Sequence, residues 1–245
     1  MNIKMQKIVV AVSLLFLTQG LQAVEDDRLF KTGERCYAHS LLGLRLREGP
    51  AANTKTVASI PHGGRVQATA DTDKNVHGVF ENINGHWVKV SYYRKEGFVF
   101  SGFISTFPAP AEYGVKEYAL QLNRANLAAA YETKSVTKSA ALPAGVEESI
   151  TLVKANILDG FLIARKLFSI PDTLKLPLAL TQNETVMDDP SKTEGAKVRQ
   201  LRITKDATGR ISGITYIEKT EGGGRLGTIA VSEAAVKITL FSYKE

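Results

Sequence analysis

The sequence predicts a mainly β protein in two parts, a small N-terminal β-barrel followed by an α+β domain that contains an antiparallel meander. Three observations predict this architecture. Turn signals with Gly, Pro and Asn recur at short intervals before residue 107, and no helical period of apolar residues interrupts them. The stretch FPAPAEYG at 107–114 then breaks all apolar periodicity. Beyond it come two helical patterns and a C-terminal run of alternating strands and turns.

The N-terminus has the pattern of an export signal. Lys4 and Lys7 precede an apolar run at 8–17 that only Ser13 interrupts, and the small residue Ala23 follows it. We therefore predict a signal peptide at 1–23, cleavage after Ala23, and a periplasmic or secreted mature chain. An uncut N-terminal anchor is the alternative, although the run is short for a membrane span. The single cysteine, Cys36, lies too far along for lipid attachment, so we expect no stable membrane anchor after cleavage.

Charge and cysteine content exclude several classes of protein. The formal net charge is +6, or +4 without the two lysines of the signal, and no long run of like charges occurs. This balance is too mild and too scattered for a nucleic-acid partner. One thiol cannot form an internal disulfide, so Cys36 is either buried or available for an intermolecular bridge, and burial is favoured.

Five β-friendly stretches lie between the turns of the first part: LLGLRL, VASI, VQAT, HWVKVSYY and FVFSGFIS. Successive side chains of a strand point to opposite faces. The first stretch therefore places Leu44 and Leu46 on one face and Arg45 and Arg47 on the other. In HWVKVSYY, Trp87 lies on the face opposite the valines, so it is not an evident core residue.

These stretches carry a family resemblance. GLRLREGPAANTKTVASIPHGGRV, followed by NGHWVKVSYYRKEGFVFSGFIS, resembles the bacterial SH3-like domain of exported and cell-wall proteins. The shared pattern is a Leu-x-hydrophobic-Arg strand, a Gly-Pro turn, a hydrophobic hairpin with Gly, a Gly-x-Trp strand and a closing Gly-aromatic-Val strand. The resemblance covers about residues 36–106 and implies a five- or six-stranded barrel that binds without chemistry. TDKNVHGVFENI at 72–83 is longer than the family pattern.

Aromatic and basic side chains in the barrel form the candidate binding set. Rings supply apolar area and cations pair with acids, so this combination suits a cell-wall peptide or glycopeptide with carboxylates, or an envelope protein. The alternative is that Tyr92 and some other rings only fill the barrel. The set consists of Trp87, Tyr37, Tyr92, Tyr93, Phe100, Arg45, Arg47 and Lys89.

The second part begins after the 107–114 stretch, which we interpret as a linker between a barrel with an N-terminal extension (24–106) and an α+β domain (115–245). GVKEYALQLNRANLAAAYETK at 114–134 predicts one helix. ANILDGFLIARKLFSIP predicts another, with Asn156 and Asp159 as a cap and Pro171 beyond its end. SITLVKA is a strand candidate, and VRQLRIT, ISGITYIEK, GTIAVS and VKITLFSY predict the meander.

Histidine and cysteine positions limit the chemistry. All four histidines (His39, His62, His77 and His86) and Cys36 precede residue 107. Ser-His-Asp or Cys-His catalysis needs an imidazole, and zinc hydrolysis usually needs histidine ligands, so these mechanisms are excluded from 107–245. The histidine spacings match no ligand signature and favour solvated turn residues. We predict no metal, no cofactor and no enzymatic activity.

Two further interpretations of the second part concern a glycosidase and a phosphate loop. Paired carboxylates could hydrolyse a glycoside, although no spacing selects a pair and solvated or capping acids explain them better. The candidate acids are Glu147, Glu148, Asp159, Asp188 and Asp189. The glycine run TEGGGRLG predicts a hairpin loop because it leads into a strand and lacks the Lys-Ser or Lys-Thr of a phosphate loop.

Two alternative functions follow for the whole protein. It could be an envelope hydrolase or hydrolase inhibitor that acts through the second part, or a structural or assembly protein.

Overall fold

The structure is a computed structural model that describes residues 24–127, 129–140, 142–177, 180, 182–191, 195–232 and 234–244. The predicted signal at 1–23 and its cleavage after Ala23 lie outside the described residues. The described part is mostly β, with two helices and two sheets whose strands pair antiparallel apart from the short first strand. No helix in these described ranges is both long and apolar enough to cross a membrane.

The first sheet has nine strands and follows the order β4-β3-β8-β7-β5-β2-β9, with β1 and β6 pairing to β7. Its strands are β1 (Val24–Glu25), β2 (Arg35–Ala38), β3 (Leu44–Arg47), β4 (Thr56–Ile60), β5 (Arg65–Ala68), β6 (His77–Phe80), β7 (Ile83–Tyr92), β8 (Lys95–Phe100) and β9 (Ile104–Ser105). All five predicted stretches contribute strands. The path of paired strands begins at β4 and ends at β9, so the closure of a barrel stays a prediction.

One face of the first sheet forms its own apolar core. Leu44 and Leu46 are buried there while Arg45 is exposed, as the alternation predicts. Cys36 is fully buried in the same core, where burial, followed by the nearby Glu34, raises the pKa of its thiol to about 12. The thiol is therefore protonated and inert at neutral pH.

The second sheet has seven antiparallel strands in the order β10-β11-β16-β15-β14-β13-β12. The second part of the chain consists of α1 (Val115–Arg124), β10 (Ala129–Val136), β11 (Gly145–Val153), α2 (Ile157–Leu167), β12 (Glu184–Asp188), β13 (Ala196–Lys205), β14 (Ile211–Thr220), β15 (Gly223–Ser232) and β16 (Ala235–Lys244). The predicted meander is present as β13 to β16. The predicted hairpin is present, but its turn consists of Glu221 and Gly222 alone, and the other two glycines of the run begin β15.

The helix predicted at 114–134 is wrong in its second half. Helix α1 ends at Arg124, Asn126 takes a left-handed conformation with φ of 58°, and the chain continues as β10. Strand β10 pairs with β11 along its whole length, for example Tyr131 with Ile150. Pairing with the next strand outweighs the weak helical preference of the alanines here.

Helix α2 lies on the second sheet, against β14, β15 and β16. Its N-terminus has the predicted capping box. The side chain of Asn156 accepts from the Asp159 N–H at 2.9 Å, and the Asp159 carboxylate accepts from the Asn156 N–H at 3.1 Å. Almost every residue of α2 is buried, because the first sheet covers the side that the second sheet leaves free.

Arg28 joins the two sheets through α2. Its guanidinium lies 2.6 Å from the Asp26 carboxylate and 2.7 Å from that of Asp159, the capping residue of α2. It also donates to the carbonyl oxygens of Ser101 and Ile104. Burial alone would lower the pKa of Arg28, but Asp159 and then Asp26 raise it overall. The guanidinium is therefore charged, and each of its two acidic partners is shielded from water.

The stretch at 107–114, interpreted as a linker, is packed at its centre: residues 108–110 are buried. His39 donates from Nε2 to the Phe107 carbonyl at 3.0 Å, and His62 does the same to that of Pro110. Tyr118 of α1 donates to the carbonyl of Pro108. The segment is thus held between the first sheet and α1.

The expectation of solvated turn histidines is wrong for two of the four. His39 and His86 are 1% and 8% exposed. His39 follows β2 and His86 lies on β7, and both positions are covered by segments that the sequence did not predict there. Burial lowers the pKa of His39 to about 4, outweighing the opposing hydrogen bond to Phe107. His39 is therefore neutral at physiological pH.

Candidate functional site

The turn between β7 and β8 carries two adjacent tyrosines. Tyr92 pairs with Lys95, so Tyr93 and Arg94 form a two-residue hairpin turn. Tyr93 has a φ of 54°, in the left-handed region that costs a non-glycine residue about 1 kcal/mol or more. Its side chain is 89% exposed. A two-residue hairpin turn requires a positive φ at this position, so the turn itself places the Tyr93 ring in solvent.

A pocket of about 550 Å³ lies beside this turn. The rings of Tyr92 and Tyr93 meet edge to face with their centroids 4.6 Å apart. Strand β4 contributes Ala58 and Ser59 to the opposite wall. Arg94 and Lys95 complete the lining, and Lys95 reaches the carbonyl oxygen of Val57 at 3.3 Å. We refer to this site as the tyrosine pocket.

The tyrosine pocket is basic. Arg94 and Lys95 are both exposed, and Arg45 lies directly opposite Ser59 in the β3–β4 register. Burial, followed by the neighbouring Tyr93, raises the pKa of Tyr92, so its hydroxyl keeps its proton at neutral pH. Rings, hydroxyl donors and cations together fit a ligand that combines apolar surface with a carboxylate.

Three members of the predicted set lie elsewhere on the first sheet. Arg47 donates to the Thr54 carbonyl at 2.8 Å, and Lys89 lies 3.6 Å from Glu96. Both flank Phe98 in a row across β3, β8 and β7. Tyr37 is half-buried on β2, away from the pocket lining. Of the predicted set, Tyr92 and Tyr93 line the pocket, and Arg45 lies opposite the lining residue Ser59 on the neighbouring strand.

The prediction that Trp87 and Phe100 belong to the binding set is corrected by their burial. Trp87 is 5% exposed and Phe100 is 2% exposed. Both pack edge-on or tilted against Phe80 of β6, with ring centroids 5.5 Å and 4.7 Å away. They belong to the same buried cluster as α2 and the second sheet. The second part of the chain and the 72–83 insertion cover this face, so neither ring offers a ligand surface.

The sequence interpretation missed four residues of the tyrosine pocket: Ala58, Ser59, Arg94 and Lys95. Arg94 and Lys95 follow the two tyrosines directly, so a basic-aromatic turn was a local signal that could have found them. Ala58 and Ser59 come from β4 and reach the turn only through the fold.

The acids considered for glycoside hydrolysis all have partners. Asp159 caps α2 and accepts from Arg28 and from the Ser105 hydroxyl at 2.6 Å. Glu147 lies 2.8 Å from Lys134, and Glu148 accepts from the Tyr131 hydroxyl at 2.7 Å. Asp188 accepts from Gln200, and Asp189 from Arg199 and two hydroxyls. These contacts favour the interpretation of the acids as structural groups.

A comparison with protein families identifies a known domain in the first sheet. Residues 42–105, which span β3 to β9, match the family model of the bacterial SH3 domain. The chain therefore carries a bacterial SH3 domain, as the resemblance at 36–106 predicted. The comparisons with curated proteins and with solved structures found no match. In the described ranges, no group of three or more His, Cys, Asp or Glu residues could hold a metal ion.

Proposed function

We propose that this protein is an exported, non-catalytic binding protein whose SH3-like barrel binds cell-wall peptide or glycopeptide, with an envelope protein as the alternative partner. The observation that supports this proposal is the tyrosine pocket in the bacterial SH3 domain. We propose a periplasmic or secreted location, which the N-terminal pattern and the common location of such domains support.

The dimensions and lining of the pocket fit a short peptide. A volume of about 550 Å³ lies within the usual range of small-ligand sites. Tyr92 and Tyr93 supply apolar area at low entropic cost, and Arg94 and Lys95 supply the charge that a peptide carboxylate needs. The side chains that line the pocket include no imidazole and no carboxylate, which favours binding over general acid-base chemistry.

Retention on purified peptidoglycan tests the proposal. The mature chain is incubated with peptidoglycan, and bound protein is measured for the wild type, Tyr93→Ala and Arg94→Gln. We expect each substitution to weaken binding about ten-fold, equivalent to about 1.4 kcal/mol. Because both side chains are exposed, the unfolding midpoint should stay unchanged.

Tyr113→Ala is the matched control. This tyrosine is 60% exposed and lies on the segment before α1, so its loss should leave retention unchanged. Wild-type retention by both pocket variants would refute the tyrosine pocket as the binding site. Turnover of peptidoglycan by the mature chain would instead support the hydrolase alternative, and a concentration-dependent oligomer in light scattering would support an assembly role.

A further inference from the structure

The second sheet has a pocket of its own at the end where β14 turns into β15. It has a volume of about 500 Å³ and is lined by Gly222 of the turn and by Gly223 and Gly224 at the start of β15, together with the end of β16 and the start of β11. We refer to it as the glycine pocket. The bacterial SH3 domain contributes no residue to its lining, so it is separate from the tyrosine pocket.

Three positions at this pocket require glycine, because a Cβ there would collide with a neighbouring strand. A Cβ at Gly224 would lie 2.6 Å from the Tyr243 hydroxyl, and one at Gly145 would lie 2.6 Å from the Phe241 ring. Gly223 has a φ of 147°, and its Cβ would overlap the Tyr243 carbonyl. Larger residues at these three positions would displace the neighbouring strand. Gly222 differs, because a Cβ there has no heavy atom within 4 Å.

A chain of buried ion pairs leads to the wall of the glycine pocket. Asp189 lies 3.3 Å from Arg199, Arg199 lies 3.0 Å from Glu218, and Glu218 contacts Arg225. Glu218 is only 7% exposed, whereas the Arg225 side chain is 34% exposed and lines the pocket. Burying such a chain is costly, and it fixes the terminal guanidinium in one orientation.

The charge at the glycine pocket favours an anion. Arg225 and Lys244 are its cationic lining residues, and Glu218 is its single lining acid. Asp189 and Glu218 balance Arg199 and Arg225 in the chain of ion pairs, so Lys244 supplies the net positive charge of the lining. Val146, which is 48% exposed, adds an apolar wall.

From this geometry we propose that the glycine pocket binds a short peptide through its free C-terminal carboxylate. The carboxylate pairs with Arg225 and Lys244, and a small apolar side chain packs on Val146. The charge of the lining selects an anion, and the apolar wall selects a peptide over an inorganic ion.

The test uses the mature chain labelled with ¹⁵N-glycine, titrated with N-acetyl-alanyl-alanine and with the same dipeptide as its carboxamide. We expect saturable shifts of the Gly222, Gly223 and Gly224 amide resonances with the acid, and at least ten-fold weaker binding of the carboxamide. Equal shifts with both peptides, or no shift with the acid, would overturn the proposal.

Two variants localise the binding. Gly222→Leu fills open space at the pocket, and Lys244→Gln removes one cation, so we expect each to weaken binding of the acid at least five-fold. Ala207→Leu, in the exposed turn at the opposite end of β14, is the control and should bind as the wild type does. Wild-type affinity in both pocket variants would place the peptide elsewhere and refute the assignment.

Discussion

The contacts of Arg28 give the sharpest stability prediction. Substitution Arg28→Met keeps a side chain of similar length and removes the charge that joins the first sheet to α2. It breaks the ion pairs to Asp26 and Asp159 together with the bonds to the carbonyls of Ser101 and Ile104. The two carboxylates then stay buried without their cation.

The structure sets the size of the effect. The side chains of Asp26 and Asp159 are 0% and 7% exposed, and removal of one partner from a buried ion pair costs about 3–5 kcal/mol. Asp159 keeps its bonds from the Ser105 hydroxyl and the Asn156 N–H, which favours the lower end. We expect a loss of about 3 kcal/mol, which lowers the melting temperature by about 6–12 °C in a chain of this size.

Trp87 provides the assay. It is the only tryptophan of the chain and lies 5% exposed in the cluster shared by both sheets, so its fluorescence reports separation of the two parts as well as unfolding. Urea unfolding of the mature chain measures the free energy. Arg45→Met, at an exposed arginine of β3, should change it by less than about 0.5 kcal/mol. If Arg28→Met lay within 1 kcal/mol of the wild type, the interface argument would be refuted.

Two further predictions concern the SH3 part. His39 has a pKa of about 4 in the folded protein, below its value of 6.5 in the unfolded chain. Between these pH values the unfolded chain binds more protons than the folded protein. About 3 kcal/mol of stability is therefore lost as the pH falls from 6.5 to 4. In urea unfolding, His39→Gln should reduce that loss. His77→Gln is the control at an exposed position and should leave the loss unchanged. Equal losses in both variants would contradict the assignment of the pH dependence to His39. A Cβ at Gly97 would overlap the Arg47 carbonyl, so Gly97→Ala should destabilise the protein by about 1–3 kcal/mol in thermal unfolding. Gly222→Ala, which meets open space, is the control, and similar melting temperatures for the two variants would show that β3 can move away from β8 at little cost.

Local signals in the sequence were sufficient for several elements. The Asn156 and Asp159 pair predicted the start of α2, because a capping box depends on residues three positions apart. The alternation in LLGLRL predicted which side chains of β3 are buried. The Gly-rich turn and the C-terminal strands were also predicted, since each hairpin joins neighbours in sequence.

The candidate site was only partly predictable. Tyr92 and Tyr93 are adjacent in the chain and mark the turn, whereas Ala58 and Ser59 reach them only because β4 folds back beside that turn. Strand β10 was mistaken for helix, since its pairing with β11 has no signature in the residues of β10 alone.

The alternation of side chains determined that β7 has two faces, with Val88 on one and Trp87 on the other. The tertiary structure decided that both faces are buried around Trp87. The valine face packs within the first sheet, and the Trp87 face is covered by the insertion at 72–83, α2 and the second sheet. A strand pattern records which residues share a face, but the element that covers that face comes from a distant part of the chain and depends on how the two sheets pack.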